Sequence, residues 1–193
     1  MNFPIILKFK LLALNPQIYI LDSSEKLIYY IKQKFFKLKE EVTVFEDEAQ
    51  TRSKYKSNAD RIIDFSAVYH FTDNSGNNVG SVSRKGMKSI WSAHYEILDS
   101  NGNFLFTIKE ENPWIKILDS LIGEVPVLGF FVGYFLNPKY KIESKTALEF
   151  RIIKSRSFLE SRFEVKKENQ NSTDENLIVL SLILFILLER SRS

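Results

Sequence analysis

The sequence predicts a mainly β protein with a helix at its centre: a closed antiparallel barrel of about twelve strands enclosing a hydrophobic C-terminal helix, with one short amphipathic helix near residues 113–122. Three observations predict it. Short apolar runs recur, each ending at an Asp where a turn begins. Apolar and polar residues alternate along these runs. The segment Leu177 to Leu188 reads Leu-Ile-Val-Leu-Ser-Leu-Ile-Leu-Phe-Ile-Leu-Leu, apolar on nearly its whole circumference.

The turns carry their own chemistry. Tyr19-Ile-Leu-Asp22, Phe71-Thr-Asp73 and Ile97-Leu-Asp99 each stop at an Asp, and the last two continue to Gly76 and Gly102. An Asp side chain accepts bonds from backbone N–H groups just ahead of it, and Gly supplies positive φ, so these are hairpin turns. Around the third, Trp91, Ala93, Tyr95 and Ile97 share one face, with Ser92, His94 and Glu96 on the other. Phe104/Phe106/Ile108, Tyr140/Ile142, Leu148/Phe150/Ile152 and Phe163/Val165 repeat the pattern, with Lys139, Lys141, Arg151, Arg162 and Lys166 opposite. Strands with one dry and one wet face belong to antiparallel sheets.

Upstream, Lys8–Leu14, Gln17–Leu21 and Leu27–Lys34 also read as strands and Phe36–Phe45 as one or two more, with helix an alternative over Lys37–Glu41, whereas the polar stretch Glu46–Asp60 reads as an exposed loop. Asn112-Pro113 is a helix start, with Trp114, Ile117, Leu118 and Leu121 at helical spacing and Gly123 as the stop. Gly129 and Gly133 have GxxxG spacing, but Pro126 interrupts the run, and the glycines read as places where a strand bends or another backbone approaches.

The count is about ten to twelve strands, at which an open sheet tends to curl or split. Closure removes the edges but leaves more interior than the wall's own side chains fill. The C-terminal segment is the natural filler. Its apolar run of about a dozen residues is roughly 18 Å of helix, too short for a membrane span of about 20 residues but matched to a strand's length. The predicted helix covers about 173–190, and Ser172-Thr-Asp-Glu175 has capping-box spacing at its start.

Composition bounds the rest. The 193 residues suit one domain, 1–193, and 44% hydrophobic content supports a well-buried core. No cysteine is present, which excludes disulfides and thiolate metal sites and fits a reducing cytosol. Phe3–Leu7 is too short for a signal peptide and lacks a preceding basic residue. A net charge of +3 is far from that of a dedicated nucleic-acid binder, and no such partner is expected.

Catalytic fingerprints are equally sparse. There is no G-x-S-x-G elbow, Walker loop or G-x-G-x-x-G. The two histidines, His70 and His94, read as surface or hydrogen-bonded structural residues. The expectation is no enzyme, no metal and no cofactor. The best recognition feature is basic: Arg84, Lys85 and Lys88 surround Gly86 just before an aromatic strand, a composition able to receive a phosphate-bearing headgroup or an acidic partner. Lys139 and Lys141, and with them Lys145, join it if the barrel brings the loops together.

A family resemblance sits on particular strings. The segment from Val79 to Ile97, then Lys109-Glu-Glu-Asn-Pro-Trp114 and Gly133-Tyr134 with Pro138-Lys-Tyr140, resembles bacterial members of the LURP-one-related family. That family belongs with the phospholipid scramblases in the Tubby C-terminal-like superfamily. The resemblance implies a twelve-stranded barrel threaded by a hydrophobic helix. It implies three roles: a binding module for phosphoinositide-like anionic headgroups, a scramblase-like lipid-moving protein, or a tubby-like membrane-linked regulator. The chain departs from the scramblase pattern in having no cysteine for palmitoylation and no long Pro-rich N-terminal segment, and no tubby lipid-binding residue maps onto it. The expected location is cytoplasmic, with the inner membrane face as the place for peripheral attachment.

Overall fold

The computed structural model of the chain describes residues 1–10, 17–32, 41–60, 67–84, 94–111, 139–155 and 160–190. They form twelve antiparallel strands and one helix: β1 (Ile5–Lys10), β2 (Gln17–Leu21), β3 (Leu27–Lys32), β4 (Glu41–Phe45), β5 (Ser53–Ala59), β6 (Val68–Asp73), β7 (Asn78–Arg84), β8 (His94–Leu98), β9 (Phe104–Glu110), β10 (Lys139–Glu143), β11 (Leu148–Ser155), β12 (Glu160–Lys167) and α1 (Glu175–Arg190). Each strand pairs with its neighbours in sequence, and β1 pairs with β12 to close the barrel. A meander that closes on itself has no edge to protect.

Inward positions alternate along every strand, as in Ile5/Leu7/Phe9, Tyr95/Ile97 and Phe150/Ile152, and these are buried. They surround α1, whose residues Leu177 to Leu188 are at most 7% exposed. Its 16 residues are about 24 Å of helix, comparable to the wall. Ser181, the one polar residue in that run, is fully buried, and its hydroxyl donates to the Leu177 carbonyl at 2.7 Å, so its burial leaves no donor unpaired.

The helix leans toward β7 and β8. A Cβ at Gly80 would lie 2.6 Å from the Leu98 carbonyl oxygen and 2.8 Å from the Leu177 methyls, so only glycine lets α1 come this close. Near the other end of α1, Phe185 meets Tyr95 and Tyr140 edge-on, with ring centroids 5.2 and 4.9 Å apart.

The Asp turns repeat one geometry. Asp22, Asp73 and Asp99 each accept, through Oδ1, the N–H groups two and four residues ahead, at 2.8–3.0 Å. The third residue after the Asp has positive φ: Gly76 (81°), Gly102 (83°) and, in the first turn, Glu25 (61°). In the latter two turns the carboxyl sits below the usual carboxylate range, chiefly through the side-chain amide of Asn77 or Asn103.

Three expectations are corrected. The stretch read as an exposed loop from Glu46 contains β5, paired with both β4 and β6. Its inward residues Tyr55, Ser57 and Ala59 alternate with Lys54, Lys56 and Asn58, so the strand carries the period of two without an apolar run. The first strand begins at Ile5 rather than Lys8. The capping box does not form: Asp174, at φ 59°, is the cap, and its carbonyl accepts the Ile178 N–H at 3.0 Å. Glu175 turns instead to Lys167 and the Met1 amino group, both at 2.7 Å. Burial pushes that carboxyl up, but those two cations outweigh it and hold the group below its usual range. The amphipathic helix expected at 113–122 and the glycine-rich stretch after it lie outside the described residues, as do Trp91 and Trp114.

Candidate anion-binding surface

Of the five cations singled out in the sequence, the three that are described do not share one surface. Arg84 ends β7 in line with Gly80 and Val82, an inward position, and is only 5% exposed. Lys85 and Lys88 lie outside the described residues. Lys139 and Lys141 share the outer face of β10, whose Tyr140 and Ile142 point in. Arg84 and Lys139 lie at the barrel end where α1 finishes, whereas Lys145 sits in the β10–β11 turn at the opposite end, its Nζ 5.8 Å from the centre of the Phe104 ring.

Strand register adds residues that sequence spacing could not. Lys109 on β9 faces Lys141, Lys141 faces Arg151 on β11, and Arg151 faces Lys166 on β12. His94 on β8 faces Lys109 and extends the row. Neighbouring strands are about 4.8 Å apart, so the four cations span roughly 14 Å of wall. Like charges directly opposite one another are destabilising.

Acids flank the row without filling it. Glu143 takes Lys141 at 2.7 Å and Lys109 at 3.4 Å, and its carboxyl is held below the usual range chiefly by the Lys141 bond. Arg151 meets Glu111 at 3.5 Å and Glu168 at 3.6 Å, and Lys166 meets Glu164 at 3.7 Å. The four cationic side chains are 31–49% exposed. Ion pairs this open contribute about 0–1 kcal/mol each, so an incoming anion displaces them at small cost.

The rest of the molecule offers different chemistry. A cleft of about 790 Å³ opens at the other barrel end, between the first turn of α1 and the β6–β7 turn, and there Lys54 stands among Asp73, Asp174 and Glu175. Among the described residues no three His, Asp or Glu side chains group to hold a metal ion, and no helix is long and apolar enough to cross a membrane. His70 is exposed on the outer face of β6, and His94 is half-buried.

A closed barrel packed with its own helix and carrying charge on its outer wall is an architecture that suits a binding module. The match to a family model over residues 27–181 identifies the chain as a member of the LURP-one-related family. Among solved structures it is similar to an X-ray structure of a protein from Arabidopsis thaliana, at 11% identity and a TM-score of 0.53, covering 100% of this chain and 94% of that one. At that identity the likeness concerns the fold alone. No curated protein matches the sequence.

Proposed function

We propose that the protein is a non-enzymatic binding module that recognises anionic phospholipid headgroups through the outer face of β9 to β12. The observation that supports this most is the register-matched row Lys109, Lys141, Arg151 and Lys166, with Lys139 two residues from its centre. Opposed cations cost stability on their own, and a polyanionic surface offsets that cost while the flanking glutamates keep the free protein soluble. Lys85 and Lys88, which follow Arg84 in the sequence, serve as a second contact. In this reading the protein works in the cytoplasm, attached peripherally to the inner membrane face.

Sedimentation with vesicles at physiological salt tests it. Binding to vesicles containing anionic lipid, absent with purely zwitterionic ones and lost when Lys139, Lys141 and Arg151 become Ala, is the expected result. Binding unchanged in that variant rejects the row, and no binding at all rejects the lipid reading in favour of an acidic protein partner. A Lys85→Ala/Lys88→Ala variant separates the loop from the row. The scramblase-like alternative requires α1 to leave the barrel, and lipid transfer in a fluorescent-lipid assay would favour it; a tubby-like regulator would instead bind without transfer and release on a signal.

A further inference from the structure

One of the carboxylates flanking the basic row is shared by two of its cations. Glu143 follows Lys141 by two residues on the outer face of β10 and stands opposite Thr107, two residues along β9 from Lys109. Its oxygens are divided between the two lysines: Oε1 accepts from Lys141 Nζ at 2.7 Å and Oε2 from Lys109 Nζ at 3.4 Å. The other cations of the row are held more loosely. Arg151 meets its two acids at 3.5 and 3.6 Å, its Nε buried without a hydrogen-bond partner, and Lys166 meets Glu164 at 3.7 Å.

A carboxylate bridging two ammonium groups displays what this pair of lysines takes: an anionic centre with at least two acceptor oxygens. The three side chains are 27–41% exposed, open enough for one anion to replace another. Glu143 is tied to the lysines through the sheet, so its effective concentration there is high and an incoming anion must outcompete it. A phosphodiester carries a single negative charge, as Glu143 does, and gains little by the exchange. A phosphomonoester carries a charge of about −1.5 to −2 near neutral pH and three strong acceptor oxygens. It therefore offers both lysines a stronger partner than Glu143 and keeps an oxygen for Arg151, which faces Lys141 from β11.

Resting on the headgroup reading above, we propose that Glu143 is the specificity residue of the basic row: an internal competitor that keeps phosphodiester headgroups from the Lys109–Lys141 pair and yields it to a lipid-borne phosphomonoester. Sedimentation at neutral pH with vesicles of zwitterionic lipid carrying either phosphatidic acid or phosphatidylglycerol, matched in surface charge by electrophoretic mobility, reads this. The unaltered protein should bind the phosphatidic acid vesicles about threefold to tenfold more tightly, the worth of two exposed ion pairs that only the monoester replaces. Glu143→Gln, which keeps the shape and removes the charge, should raise phosphatidylglycerol binding by about that factor and narrow the difference to about twofold. Lys109→Gln takes away the pair itself and should remove the preference from the other side, by lowering phosphatidic acid binding. Glu25→Gln, the same change of net charge in the exposed β2–β3 turn, should leave the preference intact. Equal binding of the two lipids by the unaltered protein, or the same gain from Glu143→Gln and Glu25→Gln, would overturn the role of Glu143 while headgroup binding stands. Binding to neither vesicle would overturn the headgroup reading and this inference with it. Glycerol 3-phosphate at the concentration of the accessible lipid phosphate should not displace the bound protein, because a soluble group engages one pair where a surface engages the whole row; displacement would overturn the lipid source. Urea unfolding of each variant identifies one that fails to fold, and Glu143→Gln and Lys109→Gln, which move binding in opposite directions, each test the preference without the other.

Discussion

The wall at β7–β8 and the wall at β3–β4 meet the central helix in different ways. At β7–β8 four register pairs join the strands, and Gly80 lets the helix press against the backbone. At β3–β4 it is Tyr29 that reaches α1, its hydroxyl donating to Asn176 at 2.8 Å while its ring meets Tyr55 of β5 at 5.8 Å. The first wall meets the helix at its backbone, the second through an aromatic side chain and its hydroxyl. A single barrel thus seats its helix closely on one side and through a long side chain on the other.

Substitutions can break this contrast, beginning with the helix itself. Ile183→Ala should cost about 2–5 kcal/mol, because Ile183 is 1% exposed and the cavity forms in the shared core. Urea unfolding should show the loss as a lower midpoint. Gly80→Ala should cost about 1–3 kcal/mol through overpacking, since the new methyl meets the Leu98 carbonyl and Leu177 in the β7–β8 wall. Because that strain also pushes the helix away from its seat, a thermal melt should remain cooperative at a lower Tm. On the other side Ser57→Ala should stabilise by about 1 kcal/mol, as it removes a buried hydroxyl without a partner; an unchanged or lower urea midpoint would show that the hydroxyl is satisfied in solution.

The smallest expected effect comes from acid. Asp73 and Asp99 have carboxyls held below their ordinary range by turn bonds, so their stabilising effect is complete above the ordinary carboxylate pKa. It is lost as pH falls from about 4 through the depressed folded values. Melts at pH 7 and pH 3 should show the loss, and Asp73→Asn with Asp99→Asn should flatten it.

Much of this was legible in the sequence, and for physical reasons. Asp22, Asp73 and Asp99 act locally, within four residues, so turn chemistry revealed their hairpins. Leu177 to Leu188 is apolar on every side, which has few solutions other than enclosure. The misread parts depended on distant partners. Tyr55, Ser57 and Ala59 form a strand because β4 and β6 lie on either side, not because their own sequence is apolar. Glu175 abandons the capping box because Lys167 is brought beside it by the end of β12. Of the candidate surface, Lys139 and Lys141 were visible as the polar face of one strand. That Lys109, Arg151 and Lys166 stand beside them is a matter of register, which spacing along the chain does not encode. Arg84 illustrates the converse: a basic string is visible in sequence, but the inward position of its first member is set by the pleat.

The central claim is that the C-terminal helix is the core of the barrel rather than an appendage to it. Ending the chain at Asp174 tests this directly, with near-UV circular dichroism and urea unfolding as the readout. The expected product has no near-UV signal and no cooperative transition, because the inner faces of twelve strands are left without a filler. A truncated chain that keeps its near-UV spectrum and unfolds cooperatively at the full-length midpoint would contradict it.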